Sequence, residues 1–226
     1  MADKIRESYR QSRNIYDDVL TRDKWWSRLY MNIFWGGCDD NEIARKVLGY
    51  IPDDFKGDLL DVPVGTGIFT YGKYGRMKDA RIVCVDYSQD MLDRAEERFR
   101  ENGLHHVKTM QGDVGALPFR DRQFDIVLSM NGFHAFPDKK KAYSEVHRVL
   151  KPGGLFIACY YVKGQSRISD WLVNAVLSRK GWFTPPFETA ERLRSRIEKQ
   201  YTVEEFHLDG SIVYFKATKH RNNGMG

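Results

Sequence analysis

Residues Leu59-Leu60-Asp61-Val62-Pro63-Val64-Gly65-Thr66-Gly67-Ile68-Phe69 decide the fold of this chain. Apolar residues lead into an acid, then a Gly-Thr-Gly turn, then a helix start. A strand that ends in a glycine turn before a helix brings backbone N–H groups close to a ligand. Gly65 and Gly67 lack a Cβ, so they permit close approach and unusual dihedrals. Pro63 has no N–H to donate and keeps only its carbonyl.

Downstream the pattern alternates. Apolar, β-branched runs at residues 59–62, 81–86, 107–113, 124–130 and 155–160 predict strands, and helical spacing predicts helices near 66–77, 89–102 and 139–150. Such alternation predicts an α/β fold, a parallel sheet with helices on both faces. Ligands in these sheets sit beyond the carboxyl ends of the strands, where Asp61, Asp86, Asp113, Ser129 and Asn131 stand. Residues 163–200 interrupt the alternation with an apolar helix over 170–178, a Thr184-Pro185-Pro186 turn, and a helix over 190–199 that Thr189 caps. Two further strands, 202–208 and 211–218, flank Asp209-Gly210 as a hairpin.

Upstream, residues 1–57 read as an N-terminal helical extension. Ile15, Tyr16, Val19 and Leu20 recur at helical spacing, and Trp25, Trp26, Leu29, Tyr30, Ile33, Phe34 and Trp35 form a dense aromatic run. Gly36-Gly37 stops that run, and Asp39-Asp40-Asn41-Glu42 starts a helix through Leu48. As a group the aromatics predict a lid, because the α/β core that follows does not need them.

Composition sets the bounds. With 42% hydrophobic and 30% charged residues over 226 positions, the chain is of soluble globular type, with one domain and room for a full core. No apolar run approaches the ~20 residues that span a bilayer. The acids near the N-terminus argue against a secretion signal there. Cys38, Cys84 and Cys159 lack metal-type spacing, so the expected setting is reducing and cytoplasmic, with no metal. Of the net charge of +5, residues 163–226 hold most, with 11 basic against 7 acidic residues. That excess suits an acidic substrate, nucleic acid or a membrane surface, or simply a solvated helix face.

A dinucleotide fingerprint would need a third glycine, and Gly65-Thr66-Gly67-Ile68-Phe69-Thr70 lacks it. Asp86, 19 residues after Gly67, can accept two ribose hydroxyl hydrogen bonds. Asp113 is placed to accept from an exocyclic amine, and Asp61 can meet a ligand ammonium directly or through water. Together these suit an adenosine carrying an amino-acid tail.

Asp61-Val62-Pro63-Val64-Gly65-Thr66-Gly67, Val85-Asp86-Tyr87-Ser88, Gly112-Asp113-Val114, Phe124-Asp125-Ile126-Val127 and Arg148-Val149-Leu150-Lys151-Pro152-Gly153-Gly154 stand in an order and spacing that resembles the class I S-adenosylmethionine-dependent methyltransferases. Tyr16-Asp17-Asp18 and the aromatic run resemble the ubiquinone/menaquinone-biosynthesis branch more weakly. The resemblance implies a Rossmann-like seven-stranded sheet, mostly parallel with the last strand antiparallel, over residues 58–226. It implies S-adenosyl-L-methionine as cofactor and S-adenosyl-L-homocysteine as product.

On that resemblance the turn Gly65, Thr66, Gly67 faces the cofactor's methionine and ribose portions, with Val62 and Pro63 before it. Asp86 binds the ribose, with Ser88 beside it. Tyr87 and Met91 pack on the adenine. Gly112, Asp113 and Val114 meet the adenine edge, and Ser129, Met130 and Asn131 lie near the methionine tail; Tyr16 joins the site from the extension. The family usually has glycine where Pro63 stands, and the Pro63 carbonyl is expected to face the cofactor's amino group.

Methyl transfer from a sulfonium depends mainly on positioning and desolvation, and a base helps only some acceptors. His134 is the candidate base, and Tyr30, Tyr160 and Tyr161 are candidate lining residues of the acceptor pocket. The leading reading is a methyltransferase for a small, partly apolar or aromatic acceptor. An RNA or protein methyltransferase and a non-catalytic S-adenosylmethionine-binding module are the alternatives.

Overall fold

The computed structural model describes residues 40–179 and 181–221, so Tyr16, Tyr30 and the aromatic run 25–35 lie outside the described residues. Helix α1 (Asp40–Gly49) buries Ile43, Ala44, Val47 and Leu48, the stripe that its 3.6-residue period puts on one face. Then follow β1 (Asp58–Asp61), the one-turn helix α2 (Tyr71–Tyr74), β2 (Arg81–Asp86), α3 (Gln89–Glu101), β3 (Val107–Gln111), β4 (Phe124–Met130), α4 (Lys139–Val149) and β5 (Leu150–Tyr161). Between β5 and β6 the chain makes α5 (Arg167–Leu172), a π-helical turn (Val173–Leu177) and α6 (Ala190–Ile197). The pair β6 (Tyr201–Asp209) and β7 (Ile212–Lys219) closes the fold.

The seven strands form one sheet in the order β3-β2-β1-β4-β5-β7-β6. All pairs from β3 to β5 are parallel, and β7 runs antiparallel to both β5 and β6. This is the mostly parallel sheet with an antiparallel last strand that the resemblance implied. The chain steps outward from β1 to β3 and then returns to place β4 beside β1. That return is the point where an open α/β sheet leaves a crevice at its carboxyl edge.

Alternate residues face opposite sides of the sheet, so the core has two halves. Leu59, Ile82, Cys84, Ile126, Leu128, Ile157 and Cys159 point to the side of α1 and α3. Leu60, Val85, Val127, Phe156, Ala158 and Tyr160 point to the side of α4 and α6. Both faces are apolar, as a sheet covered on both sides requires.

Several boundaries differ from the sequence expectation. The helix expected over 66–77 shrinks to α2, because Gly65 and Gly67 adopt left-handed φ of 58° and 68° and the N–H groups of Thr70 and Tyr71 turn back to the Gly67 carbonyl. Strand β3 stops at Gln111, and Asp113 lies just beyond it. Strand β5 begins at Leu150 rather than 155, with an irregularity between the pairs Phe124–Leu150 and Ile126–Leu155 that absorbs the glycines. Ser166 caps α5, so that helix starts before residue 170. Thr189 caps α6 as expected, accepting from the Arg192 N–H at 3.4 Å.

Candidate active site

The turn after β1 is held from three sides. Val62 N–H donates to the Leu128 carbonyl of β4 at 2.9 Å, and Val64 N–H donates to the Val85 carbonyl of β2 at 3.0 Å. Gly65 N–H donates to Asp86 Oδ2 at 2.9 Å, and the Arg98 guanidinium of α3 reaches the Thr66 carbonyl. The two glycines serve different ends. A Cβ on Gly67 would stand 2.8 Å from the Phe99 ring, whereas one on Gly65 would meet nothing within 4 Å among the described residues. Gly67 is a packing requirement; Gly65 leaves an open cradle.

Asp86 is 8% exposed and is fixed by backbone donors, Gly65 N–H on Oδ2 and Ser88 N–H on Oδ1, both at 2.9 Å, with the Tyr87 backbone adding to them. Each oxygen keeps a lone pair. Burial is the main cause that pushes this carboxyl up to about 6. Ser88 caps α3 through the Met91 N–H at 3.4 Å, which brings Met91, buried in the first turn, beneath the end of β2. Tyr87 is exposed beside it.

Asp61 is 1% exposed. The Tyr74 hydroxyl donates to its Oδ2 at 2.8 Å, and Oδ1 has no hydrogen-bond partner. Burial pushes Asp61 up to about 7, against the Tyr74 hydrogen bond, with the Asp86 charge adding to the rise. Among the described residues no cation offsets either acid. The hydroxyls of Thr66 and Ser129 are also buried with no hydrogen-bond partner. Buried polar atoms are nearly always hydrogen-bonded, so three such atoms near the carboxyl ends of β1 and β4 mark a place where a polar ligand fits.

Asn131 continues from β4 with a left-handed φ of 55°, uncommon outside glycine, and its N–H donates to the Cys159 carbonyl at 2.7 Å. Gly132 follows, and a Cβ there would stand 2.3 Å from Pro63 Cδ and 2.7 Å from Phe136 Cζ. The Pro63 ring therefore packs against the backbone after β4, and the Val62–Pro63 peptide is cis. Gly112 packs at 3.1 Å from Val85 by the same test. Asp113 is exposed and accepts the Gly115 N–H on Oδ1 at 2.7 Å, while Val114 is buried behind it. Asp86 and Asp113 thus also hold their turns, which does not use up their acceptor capacity.

The family model for a methyltransferase domain matches residues 59–154. Over those residues this chain is similar to methyltransferase domains. A demethylmenaquinone methyltransferase of Geobacillus stearothermophilus is 35% identical over 99 residues, which cover 43% of this chain and 42% of that protein. A phosphoethanolamine N-methyltransferase of Caenorhabditis elegans is 33% identical over 149 residues, covering 64% of this chain and 32% of that protein. The chain spans less than half the length of either relative. A solved structure titled as a putative methyltransferase of Bacillus halodurans superposes with a TM-score of 0.66 over 78% of this chain and 98% of its own, at 21% identity, a likeness of fold.

The other expected residues among those described have structural partners. His134 is buried, its ring stacked on Phe183 with centroids 4.0 Å apart, and its Nδ1 accepts the Tyr161 N–H at 3.4 Å. Burial, helped by the Lys139 charge, pushes it down to about 3, so the ring is neutral. Thr184 ties the segment after α5 to the same loop, N–H to the His134 carbonyl and hydroxyl to the Ala135 carbonyl, each at 2.9 Å. Tyr160 lies in the core with its hydroxyl 2.7 Å from that of Tyr143, and Tyr161 donates to Asp170 Oδ1 at 2.6 Å. These two tyrosines are therefore occupied in the core.

Four of the basic residues in the last quarter have partners within the fold. Arg194, Arg196 and Lys216 pair with Glu198, Glu188 and Glu204, and Lys219 is buried on the His147 and Leu150 carbonyls. No described helix is long and apolar enough to cross a membrane, and the described residues contain no metal-type cluster. The residue that sequence reasoning missed is Tyr74. Its spacing in Tyr71-Gly72-Lys73-Tyr74 reads as ordinary core, and nothing local indicates that its hydroxyl meets Asp61.

Proposed function

We propose that this chain transfers a methyl group from S-adenosylmethionine to a small, apolar or aromatic acceptor. The observation that carries the reading is the pair of buried acids without a cation, Asp61 and Asp86, beside the open Gly65 cradle. S-adenosylmethionine supplies a methyl group on a positively charged sulfur, open to in-line displacement by the acceptor. Asp61 offers Oδ1 to the ammonium group, and Thr66 and Ser129 bring hydroxyls whose partners a polar ligand would complete. Asp86 accepts the ribose hydroxyls on the lone pairs that Gly65 and Ser88 leave, and Asp113 keeps Oδ2 for the adenine amine. Tyr87, Met91 and Val114 hold the ring, with Gly112 allowing close approach. Met130 and Asn131 bound the tail.

The residues position and desolvate the reacting centre and need no strong base. His134 belongs to the packed wall of this centre. The names of the relatives, a quinone-type and an amine methyltransferase, support a small acceptor. The pairing of Arg194, Arg196 and Lys216 with acids supports it over a nucleic acid. The lid is proposed for residues 1–39, whose aromatic run suits an apolar acceptor, since α1 from Asp40 packs into the core.

Calorimetric titration with S-adenosylmethionine and S-adenosylhomocysteine tests the cofactor, and transfer of a labelled methyl group to a panel of quinols, phenols and amines tests the acceptor. Binding of both ligands and salt-insensitive labelling of an apolar ring acceptor is the expected result. Absence of binding would sink the reading; binding with steeply salt-dependent labelling of RNA would move it to nucleic acid.

A further inference from the structure

Tyr74 is fully buried on α2, its ring packed against Phe99 with centroids 6.2 Å apart. The helix that carries it is anchored. Lys73 Nζ donates to the Ile51 carbonyl and pairs with Asp53, while the Tyr74 N–H donates to the Thr70 carbonyl at 2.9 Å. The Tyr74 hydroxyl therefore arrives from a fixed point, 2.8 Å from Asp61 Oδ2. A carboxylate is free to rotate about its Cβ–Cγ bond, and one short hydrogen bond to one oxygen sets which way the other points. Here the other oxygen, Oδ1, has no hydrogen-bond partner.

We infer that Tyr74 is a positioning residue for Asp61: its hydroxyl holds Oδ2 and so presents Oδ1 to the ammonium group of the cofactor. The inference rests on the S-adenosylmethionine reading above. A packing role alone would be met by phenylalanine, and a buried carboxylate is a costly way to satisfy a phenol. The arrangement makes sense when the carboxylate has a second partner that carries positive charge. Among the described residues the titratable groups that face Asp61 are Tyr74 from α2, Cys84 and Asp86 from β2 and Cys159 from β5, and none of them is a cation.

The test compares two ligands on the full chain. S-adenosylmethionine has the ammonium group; methylthioadenosine keeps the adenosine and lacks the amino-acid tail. Affinity of the wild-type chain for the first should keep rising with pH through about 7 as Asp61 ionises, whereas affinity for the second should level off once Asp86, which meets the ribose of both, has ionised near 6. In Tyr74→Phe, S-adenosylmethionine should bind about tenfold more weakly near neutral pH, with the midpoint of its pH dependence moved upward, because a hydrogen bond that favours the ionised carboxyl is gone. Methylthioadenosine should bind as before.

Equal weakening of both ligands, or an unmoved midpoint, overturns the inference while the cofactor reading stands. A wild-type chain that binds neither ligand overturns the cofactor reading and the inference with it. Should Tyr74→Phe fail to fold, the wild-type chain labelled with carbon-13 at the tyrosine ζ position gives the same decision. The Tyr74 resonance should move on adding S-adenosylmethionine and stay in place with methylthioadenosine; equal movement with both overturns the inference.

Discussion

Strand β1 carries an aspartate at each end, and the two have opposite surroundings. At the amino end Asp58 pairs with Arg81 through two hydrogen bonds, at 2.6 and 2.8 Å, and shares Lys151 with Asp125. The Arg81 hydrogen bonds are the main cause that holds its carboxyl below the usual range. At the carboxyl end, three residues away, Asp61 is buried with one phenol for a partner and is pushed up to about 7. A protein that needed charge only for solubility or cohesion would pair both. Leaving one acid dry, with no cation among the described residues, costs folding free energy that a ligand's cation would offset on the proposed function.

The most forceful way to break this contrast is Asp61→Asn. It should weaken S-adenosylmethionine binding about a hundredfold, ~2.7 kcal/mol, because the ammonium loses its countercharge. It should also raise the unfolding temperature of the free chain above neutral pH, since an ionised buried carboxyl is removed. Calorimetry and thermal denaturation read the two effects, and an unchanged affinity would remove Asp61 from the site.

The same acids set a pH dependence of stability. Asp61 and Asp86 hold their protons up to about 7 and about 6 in the folded chain, above their unfolded values, so they stabilise at low pH and lose that contribution as pH rises through those values. His134, pushed down to about 3, acts the other way as pH rises to its unfolded value of about 6.5. Between about pH 4 and 6, two acids against one histidine leave a net slope of one proton, a fall of about 1.4 kcal/mol per pH unit, and from about 6 to 6.5 Asp61 and His134 nearly cancel. Thermal melts should show this decline in the free chain, and saturating S-adenosylmethionine should flatten it.

Gly132→Ala tests the contact that replaces the family's usual glycine at position 63. Its Cβ would fall 2.3 Å from Pro63 Cδ, so it should cost about 1–3 kcal/mol of stability. Pro63→Gly in the same chain should recover part of that loss. Purely additive losses in a double-mutant cycle would show that the two positions do not couple. The smallest effect belongs to Asp58→Asn: less than about 1 kcal/mol, because Arg81 is largely exposed, and no change in cofactor affinity.

Much of the fold was legible because its signals are local and repeat. The apolar runs that hold Leu59, Leu60, Val83, Cys84, Ile126 and Val127 mark strands, and Ser88 and Thr189 stand where helix caps belong. The glycine turn and the spacing of Asp86 pointed to the crevice before any contact was known. The helix at 66–77 was over-read, because helical spacing cannot reveal that Gly67 turns the chain back on itself. The start of β5 was missed because Pro152, Gly153 and Gly154 suggest a break. A Cβ on Gly154 would stand 2.9 Å from the Asp125 carbonyl, and only the neighbouring strand imposes that limit.

By itself the sequence determined the order of elements, the acids at the strand ends and the family pattern, all properties of residue type and spacing along one chain. Tertiary structure alone decided what each group does. It gave Asp58 a cation and Asp61 none, aimed the Tyr74 hydroxyl at Oδ2, set Pro63 against Gly132, and enclosed His134 behind Phe183. The reason is physical: a carboxylate's charge and free lone pairs depend on burial and on partners brought from distant positions, and spacing in sequence records neither.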